Sequence, residues 1–122
     1  MKDIYGMRIA IVGSRNFNNY DLLKSTLLNK FDVSSIVEII SGGAKGADTL
    51  GAKFAKEFSI PLTEFLPDWN LHGKSAGYIR NKDIVNNSDI VVAFWDGVSK
   101  GTKHSIDMAI KLNKRCEVII YE

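Results

Sequence analysis

The chain is poor in the residues that hold many small extracellular proteins together. Its 122 residues include one cysteine, Cys116, and two prolines. A single cysteine excludes an intramolecular disulfide, which suits a reducing compartment. We expect Cys116 to be a packed residue rather than a nucleophile, because no histidine lies near it in the sequence.

Long apolar runs and a strong charge of either sign are missing as well. The apolar runs fall well short of the roughly 20 residues that a membrane-spanning helix needs, and nothing before the first strand resembles the apolar core of a signal peptide. The formal net charge is only +2, from 16 basic and 14 acidic residues. A charge this small argues against nucleic acid as a partner. We therefore expect a cytoplasmic protein without membrane contact.

Short apolar segments alternate along the chain with segments of helical periodicity. The predicted strands are residues 7–12, 37–41, 62–66, 90–95 and 117–121, and the predicted helices are residues 20–31, 47–58, 76–87 and 101–112. Nearly continuous apolar strands separated by helices are typical of a parallel sheet covered on both faces. The pattern predicts one α/β domain over residues 1–122. It is a Rossmann-like doubly wound domain with a mainly parallel five-stranded sheet and helices on both faces.

A glycine-rich turn, residues 41–48, joins the second predicted strand to the second predicted helix. Glycines let a phosphate approach the main chain without meeting a β-carbon, and a helix N-terminus attracts an anion. Short glycine motifs also occur as plain tight connections. The functional interpretation makes six residues of this turn candidates for ligand binding: Ser41, Gly42, Gly43, Lys45, Gly46 and Asp48.

Polar residues also follow the other predicted strands, at the point where each strand ends. In a doubly wound sheet, ligands bind beyond the carboxyl ends of the strands, so these residues are expected at one edge. Their excess of positive charge indicates an anionic small molecule. The further candidates for ligand binding are Gly13, Ser14, Arg15, Trp69, Arg80, Asn81, Asp96, Gly97, Ser99, Lys100, Gly101 and Thr102.

Several candidates also have a purely structural interpretation. Ser99 and Thr102 are residue types that cap helices, and we favour a double role because a cap leaves other helical N–H groups for a phosphate. Asp96 could either cap a turn or accept hydrogen bonds from the hydroxyls of a ribose. Trp69 suits either the core or stacking on a base. No cluster of histidine, cysteine and carboxylate has the spacing of a zinc site, so no metal is predicted.

Four motifs together resemble the SLOG superfamily, and most closely its small stand-alone YspA/YpsA-like branch. The motifs are residues 13–15, 41–48, 76–81 and 94–102, which span nearly the whole chain in the right order. The resemblance implies a Rossmann-like domain that binds a nucleotide or a nucleotide derivative, of the ADP-ribose or nucleoside-phosphate kind. No other cofactor is implied.

The resemblance also implies a homodimer or a higher homo-oligomer. Aromatic residues in or near loops are the kind that anchors such interfaces. The candidates for this role are Phe17, Tyr20, Trp69 and Tyr78.

A related branch, the LOG nucleotide phosphoribohydrolases, cleaves the base from nucleoside monophosphates and carries a P-G-G-x-G-T-x-x-E motif. Residues 97–105 are similar to this motif: Gly101 and Thr102 are kept, but Ser105 stands at the position of the catalytic glutamate. A hydroxyl cannot act as a carboxylate base at neutral pH. The resemblance therefore implies ligand binding without that route to catalysis, with Asp96 and Asp48 as candidates for a replacement carboxylate.

The sequence leaves three hypotheses. The leading one is a binding protein that senses a signalling nucleotide or sequesters it as a sponge. The second is a nucleotide N-glycosidase that uses Asp96 or Asp48. The third is a single-stranded DNA-binding module, because the DNA-processing protein DprA carries a related fold; the small net charge argues against it.

Overall fold

All five strands in the described part of the computed structural model, residues 6–121, join one parallel sheet. The order across the sheet is β3-β2-β1-β4-β5. The strands are β1 Met7–Gly13, β2 Ile36–Ser41, β3 Leu62–Glu64, β4 Ile90–Trp95 and β5 Arg115–Ile120. The helices are α1 Tyr20–Lys30, α2 Ala47–Glu57, α3 Trp69–His72, α4 Ala76–Asn86 and α5 Lys100–Lys111. The predicted Rossmann-like α/β fold is confirmed.

The strand order changes direction at β1. The chain moves outward from β1 through β2 to β3, then crosses back to place β4 on the other side of β1. β1 and β4 pair in register from Ile9 and Ile90 to Gly13 and Phe94. The connections that leave β1 and β4 run to opposite sides of the sheet, which opens a crevice beyond their carboxyl ends.

Alternate residues of the central strands fill two cores, one on each face of the sheet. Ile9 and Ile11 of β1 pack in one core with residues of α1 and α2, and Ala10 and Val12 pack in the other with residues of α4 and α5. Burial on both faces is the reason why β1 and β4 read as continuous apolar runs.

Two glycines let α2 lie close to β1. A β-carbon on Gly51 would come within 2.9 Å of Cβ of Ile11, and one on Gly13 would come within 2.6 Å of Cβ of Ala47. These distances are shorter than any packed carbon pair tolerates. The missing side chains therefore set the N-terminus of α2 directly beside the end of β1.

The structure departs from the sequence prediction mainly between residues 65 and 75. β3 ends at Glu64, two residues earlier than predicted. The segment between the third predicted strand and the third predicted helix contains α3 and a 3₁₀ turn over Gly73–Ser75. The carboxylate of Asp68 starts α3 by accepting a hydrogen bond from the Leu71 N–H at 3.0 Å. A helix of four residues is too short to show apolar periodicity, so the pattern could not indicate it.

Candidate functional site

A cavity of about 500 Å³ lies beyond the carboxyl ends of β1 and β4, where the strand order changes direction. We call this cavity the cleft. Its wall comes from the loop after β1, the loop after β4, the start of α5, one face of α4 and the first turn of α2. The predicted site residues that line it are Gly13, Ser14, Arg15, Asp48, Arg80, Asn81, Asp96, Ser99, Lys100, Gly101 and Thr102.

The cleft also has lining residues that the sequence did not single out for ligand binding. They are Val12, Asn16, Ala44, Ile84 and Ser105. Asn16 follows Arg15 in the same loop, so extending that motif by one residue would have found it. Ile84 lies one turn beyond Arg80 on α4, where helical spacing brings it to the same face.

The N-terminus of α5 opens into the cleft without a side-chain cap. Ser99 occupies the cap position, but its hydroxyl donates to Oδ2 of Asp96 at 2.8 Å instead of accepting from α5. The predicted capping role of Ser99 is therefore wrong. Around Gly101, no heavy atom beyond its chain neighbours and the backbone of its own helix lies within 4 Å of the position that a β-carbon would take. This helix end presents backbone to an open cavity, which is an arrangement suited to an anion.

Asp96 organises the loop that leads into α5. Its carboxylate accepts hydrogen bonds from the backbone N–H groups of Val98 at 2.9 Å and Ser99 at 2.8 Å, and these bonds lower the pKa of Asp96 to about 2. Its own backbone N–H donates to the hydroxyl of Ser14 at 3.1 Å, which ties the loop after β4 to the loop after β1. Asp96 is ionised at neutral pH and its carboxylate is occupied by its own loop.

Asp48 differs from Asp96 because it is buried. Only 7% of its surface is exposed, and this burial raises the pKa of Asp48 to about 6. The Ala44 N–H, which donates to its Oδ2 at 3.0 Å, and the charge of Arg80 both oppose the rise. Asp48 is thus a carboxyl group in the cleft that titrates close to neutral pH.

Arg80 connects α4 to the glycine-rich turn. Its Nη1 donates to the carbonyl oxygen of Gly42 at 2.7 Å, and its Nε donates to Oδ1 of Asn81 at 3.1 Å. Burial lowers the pKa of Arg80, and the nearby Asp48 counteracts that effect. The guanidinium occupies the space beside Gly42, where a β-carbon would come within 2.9 Å of Cζ. Arg80 therefore lines the cleft and also stabilises the glycine-rich turn.

Apart from Ala44 and Asp48, no residue of the glycine-rich turn lines the cleft. Gly43 lies against the side chain of Leu66, and Gly46 lies against the backbone of Ser14 and Arg15. The hydroxyl of Ser41 is buried and donates to the carbonyl oxygen of Asp48 at 3.4 Å. The predicted site residues that do not line the cleft are Ser41, Gly42, Gly43, Lys45, Gly46, Trp69 and Gly97.

Trp69 lines a second, smaller cavity of about 240 Å³ beside the cleft, which we call the outer cavity. Lys74 and Tyr78 belong to its wall as well. Four residues line both cavities: Arg15, Arg80, Asn81 and Gly101. The outer cavity therefore continues the cleft rather than forming a separate site.

The aromatic residues expected at an interface divide into two pairs. Phe17 is only 2% exposed and stacks on Phe94 with ring centres 4.8 Å apart, so its predicted role as an interface anchor is wrong. The hydroxyl of Tyr20 donates to Glu57 at 2.6 Å. Trp69 and Tyr78 are about half exposed. Self-association stays a prediction.

Within residues 6–121, no three side chains of histidine, cysteine, aspartate or glutamate are grouped as a metal site would need. None of the described helices has the length and apolar character to cross a membrane. Burial raises the pKa of Cys116 to about 11, so its thiol is protonated at neutral pH. This agrees with the expectation that Cys116 is a packed residue.

The chain has recognisable relatives. The model of the YspA, cpYpsA-related SLOG family matches residues 7–72, which is more than half of the chain. The chain belongs to this family. It is also 32% identical over 111 residues to the Gene 61 protein of Mycobacterium phage D29, an alignment that covers 85% of this chain and 89% of that protein.

Two solved structures of DNA processing protein A share the fold. The Helicobacter pylori protein superposes with a TM-score of 0.71 at 22% identity, and the superposition includes 97% of this chain and 67% of the Helicobacter chain. The Streptococcus pneumoniae protein superposes with a TM-score of 0.76 at 16% identity, and 96% of this chain covers 51% of it. This SLOG chain therefore spans about two thirds of the length of the Helicobacter protein and about half of the length of the Streptococcus protein. At such identities the likeness shows the fold alone.

The Helicobacter pylori protein binds single-stranded DNA. The expectation that nucleic acid is not a partner of this SLOG protein therefore gains no support from the comparison. That expectation was based on net charge alone, and a small net charge does not prevent basic residues from gathering in one place.

Proposed function

We propose that this SLOG protein binds a phosphate-bearing nucleotide derivative in the cleft and holds it without turnover, as a sensor or a sequestering sponge. The proposal is carried by one observation: the uncapped N-terminus of α5 opens into a cavity that Arg15, Arg80 and Lys100 also line. Helix N–H groups and the helix dipole favour a phosphate at such an end. The volume of about 500 Å³ lies within the usual range for small-molecule sites.

The phosphate belongs at α5 rather than at α2 in this proposal. The space around Gly101 is open, and the buried Thr102 adds a hydroxyl to the wall of the cleft. At the start of α2, by contrast, the backbone of Ser14 and Arg15 lies against Gly46. The glycine-rich turn supports the site indirectly, because it contains Asp48 and because its Gly42 carbonyl accepts a hydrogen bond from Arg80.

Calorimetric titration with a panel of nucleotides, including AMP and ADP-ribose, tests the proposal. Lys100→Ala removes a charge from the cleft and should weaken binding by about 10-fold or more, since hydrogen bonds to charged groups contribute roughly 1.5–3 kcal/mol. Lys103→Ala is the matched control, because Lys103 lies on the same helix but pairs with Asp107 at 2.8 Å outside the cleft. Absence of binding across the panel, or equal losses in both variants, would reject the site.

N-glycosidic cleavage is the second candidate function, and Asp48 is the observation that favours it. A carboxyl with a pKa of about 6 is suited to exchange protons near neutral pH. Asp96 is less suited, because its own loop holds the ionised form. Ser105, buried at the wall of the cleft, lacks the negative charge that a developing oxocarbenium ion needs.

Chromatography of free base separates binder from enzyme. We expect nucleoside monophosphates incubated for hours with stoichiometric protein to release no base above background, because loss of a catalytic carboxylate costs on the order of 4 kcal/mol or more in the barrier. Ser105→Glu should retain nucleotide binding and is the variant in which trace hydrolysis would appear. Rapid release by the natural protein, abolished by Asp48→Asn, would establish an enzyme instead.

Single-stranded DNA is the third candidate, favoured by the half-exposed Trp69 beside basic residues. Aromatic side chains on which bases stack are common in single-strand binding sites. We expect only weak DNA binding, because the net charge of the chain is +2. Titration of an oligothymidylate at several salt concentrations tests this, and tight binding with a steep salt dependence would promote DNA over a small molecule.

We further propose that the protein forms a homodimer or a higher homo-oligomer, as the resemblance to the family implies. Phe17 is packed within its own chain and cannot anchor the interface. Light scattering at high micromolar concentration measures the mass directly, and a strictly monomeric mass would contradict the proposal.

A further inference from the structure

The cleft and the outer cavity meet at a line of charged and polar groups. Arg15 and Arg80 belong to the walls of both cavities, and so do Asn81 and Gly101. Beyond this line, the outer cavity adds Lys74 and two aromatic side chains, Trp69 and Tyr78. Two of the positive charges available to a phosphate, those of Arg15 and Arg80, therefore lie where the two cavities meet.

The aromatic residues of the outer cavity are exposed but held in place. The side chain of Trp69 is 54% exposed, and its indole ring lies against Gly77, with Cη2 3.7 Å from the position of a β-carbon there. Tyr78 is 49% exposed, and its ring meets that of His104 edge-on with centres 4.6 Å apart. Large aromatic side chains are usually buried. Two that remain half exposed and line the same cavity are suited to stacking on a flat ring.

We propose that the natural ligand is a small molecule with two aromatic ring systems joined through phosphate, one in the cleft and the other in the outer cavity. The inference rests on the proposed function and extends it. The linking phosphates lie between Arg15 and Arg80, near the start of α5, and the second ring stacks on Trp69 in the outer cavity. A mononucleotide fills the cleft alone and leaves the outer cavity empty.

Three probes that share one adenosine test this proposal by calorimetry: AMP, ADP-ribose and diadenosine diphosphate. ADP-ribose and diadenosine diphosphate carry the same diphosphate, but only diadenosine diphosphate has a second base. We expect diadenosine diphosphate to bind about 10-fold more tightly than ADP-ribose, because stacking of one base on an aromatic side chain gives effects of this size. Binding of the second base should also change the fluorescence of Trp69.

Trp69 variants locate the effect in the outer cavity. Trp69→Ala should abolish the advantage of diadenosine diphosphate over ADP-ribose while leaving the affinity for AMP unchanged, and Trp69→Phe should retain most of it. Leu71→Ala is the matched control, because Leu71 lies on α3, is 72% exposed and does not line the outer cavity. This variant should behave like the natural protein towards all three probes.

The outcomes separate this inference from the function on which it rests. If AMP binds and diadenosine diphosphate binds no more tightly than ADP-ribose, the second ring site is rejected and the proposed function stands. If none of the three probes binds, both are rejected. If an oligothymidylate binds more tightly than diadenosine diphosphate and loses its affinity in Trp69→Ala, the outer cavity serves nucleic acid and the small-molecule proposal is overturned.

Discussion

The two loops predicted to bind phosphate have different surroundings in the folded protein. The loop after β4 leads into α5 and faces the cleft, and the space around Gly101 is open. In the glycine-rich turn after β2, Arg80 fills the space beside Gly42 and the backbone of Arg15 fills the space beside Gly46. Glycine permits a close approach in both loops. Whether a ligand or the protein makes that approach depends on the neighbouring elements.

The acidic residues of the two loops show the same contrast. Asp96 accepts hydrogen bonds from its own loop, and these bonds lower its pKa to about 2. Asp48 is the last residue of the glycine-rich turn, and burial raises its pKa to about 6. The loop that faces the cleft carries a fixed negative charge with a structural role. The packed turn carries the carboxyl whose charge changes near neutral pH.

Substituting alanine for one glycine in each of the two loops should give the largest difference in the free energy of unfolding. Gly46 has φ of 82°, and a β-carbon there would come within 2.6 Å of the Arg15 carbonyl. Backbone strain and overlap each cost about 1–3 kcal/mol, so Gly46→Ala should lower the free energy of unfolding by about 4 kcal/mol. Urea denaturation measures this loss.

Gly101→Ala is the counterpart of this variant in the loop that faces the cleft. It meets no atom within 4 Å, so the free energy of unfolding should stay within about 0.5 kcal/mol of the natural value. Its β-carbon projects at the wall of the cleft and should weaken AMP binding. Equal destabilisation by both substitutions would remove the contrast between the two loops.

The second prediction concerns the pH dependence of stability. Because the pKa of Asp48 is raised to about 6 in the folded protein, the folded state retains a proton that the unfolded chain loses near pH 4. This contribution is fully present below pH 4 and is lost as the pH rises through 6, by about 3 kcal/mol in total.

In Asp48→Asn, the free energy of unfolding should no longer show this fall between pH 4 and 6. Urea denaturation at a series of pH values measures it. Asp107→Asn should retain the fall, because Asp107 is exposed and lies outside the cleft. An unchanged slope in Asp48→Asn would mean that Asp48 is solvated and titrates like an ordinary aspartate.

The third and smallest prediction separates Arg80 from Lys100. Arg80→Ala removes the donor to the Gly42 carbonyl and the positive charge near Asp48, so it should cost about 1–2 kcal/mol of stability as well as nucleotide affinity. Lys100→Ala should cost affinity alone, because Lys100 is exposed at the start of α5. Thermal unfolding and calorimetry on the two variants provide the measurements. A stability loss in Lys100→Ala equal to that in Arg80→Ala would contradict this division of roles.

Sequence reasoning was most successful where the pattern is local and strong. The apolar runs of β1 and β4 predicted two strands of the parallel sheet, and residues after them, such as Ser14 and Lys100, lie at the carboxyl edge of the sheet as expected. It was least successful for α3, whose four residues are too few for a period. The role of Ser99 was misjudged because a serine before a helix caps it in most proteins, whereas here the hydroxyl binds Asp96.

The alternation of the five strands with the four longer helices, the parallel sheet and the family follow from the sequence by itself, because local periodicity and short motifs encode them. The uses of individual polar groups do not. Gly42 and Gly101 have the same side chain, and Asp48 and Asp96 carry the same carboxyl group. Only the tertiary structure decides that Arg80 fills the space beside Gly42 while Gly101 faces an open cleft, and that Asp48 is buried while Asp96 binds its own loop. Exposure, pKa and open space depend on residues that are distant in the sequence and meet only when the sheet and its helices assemble.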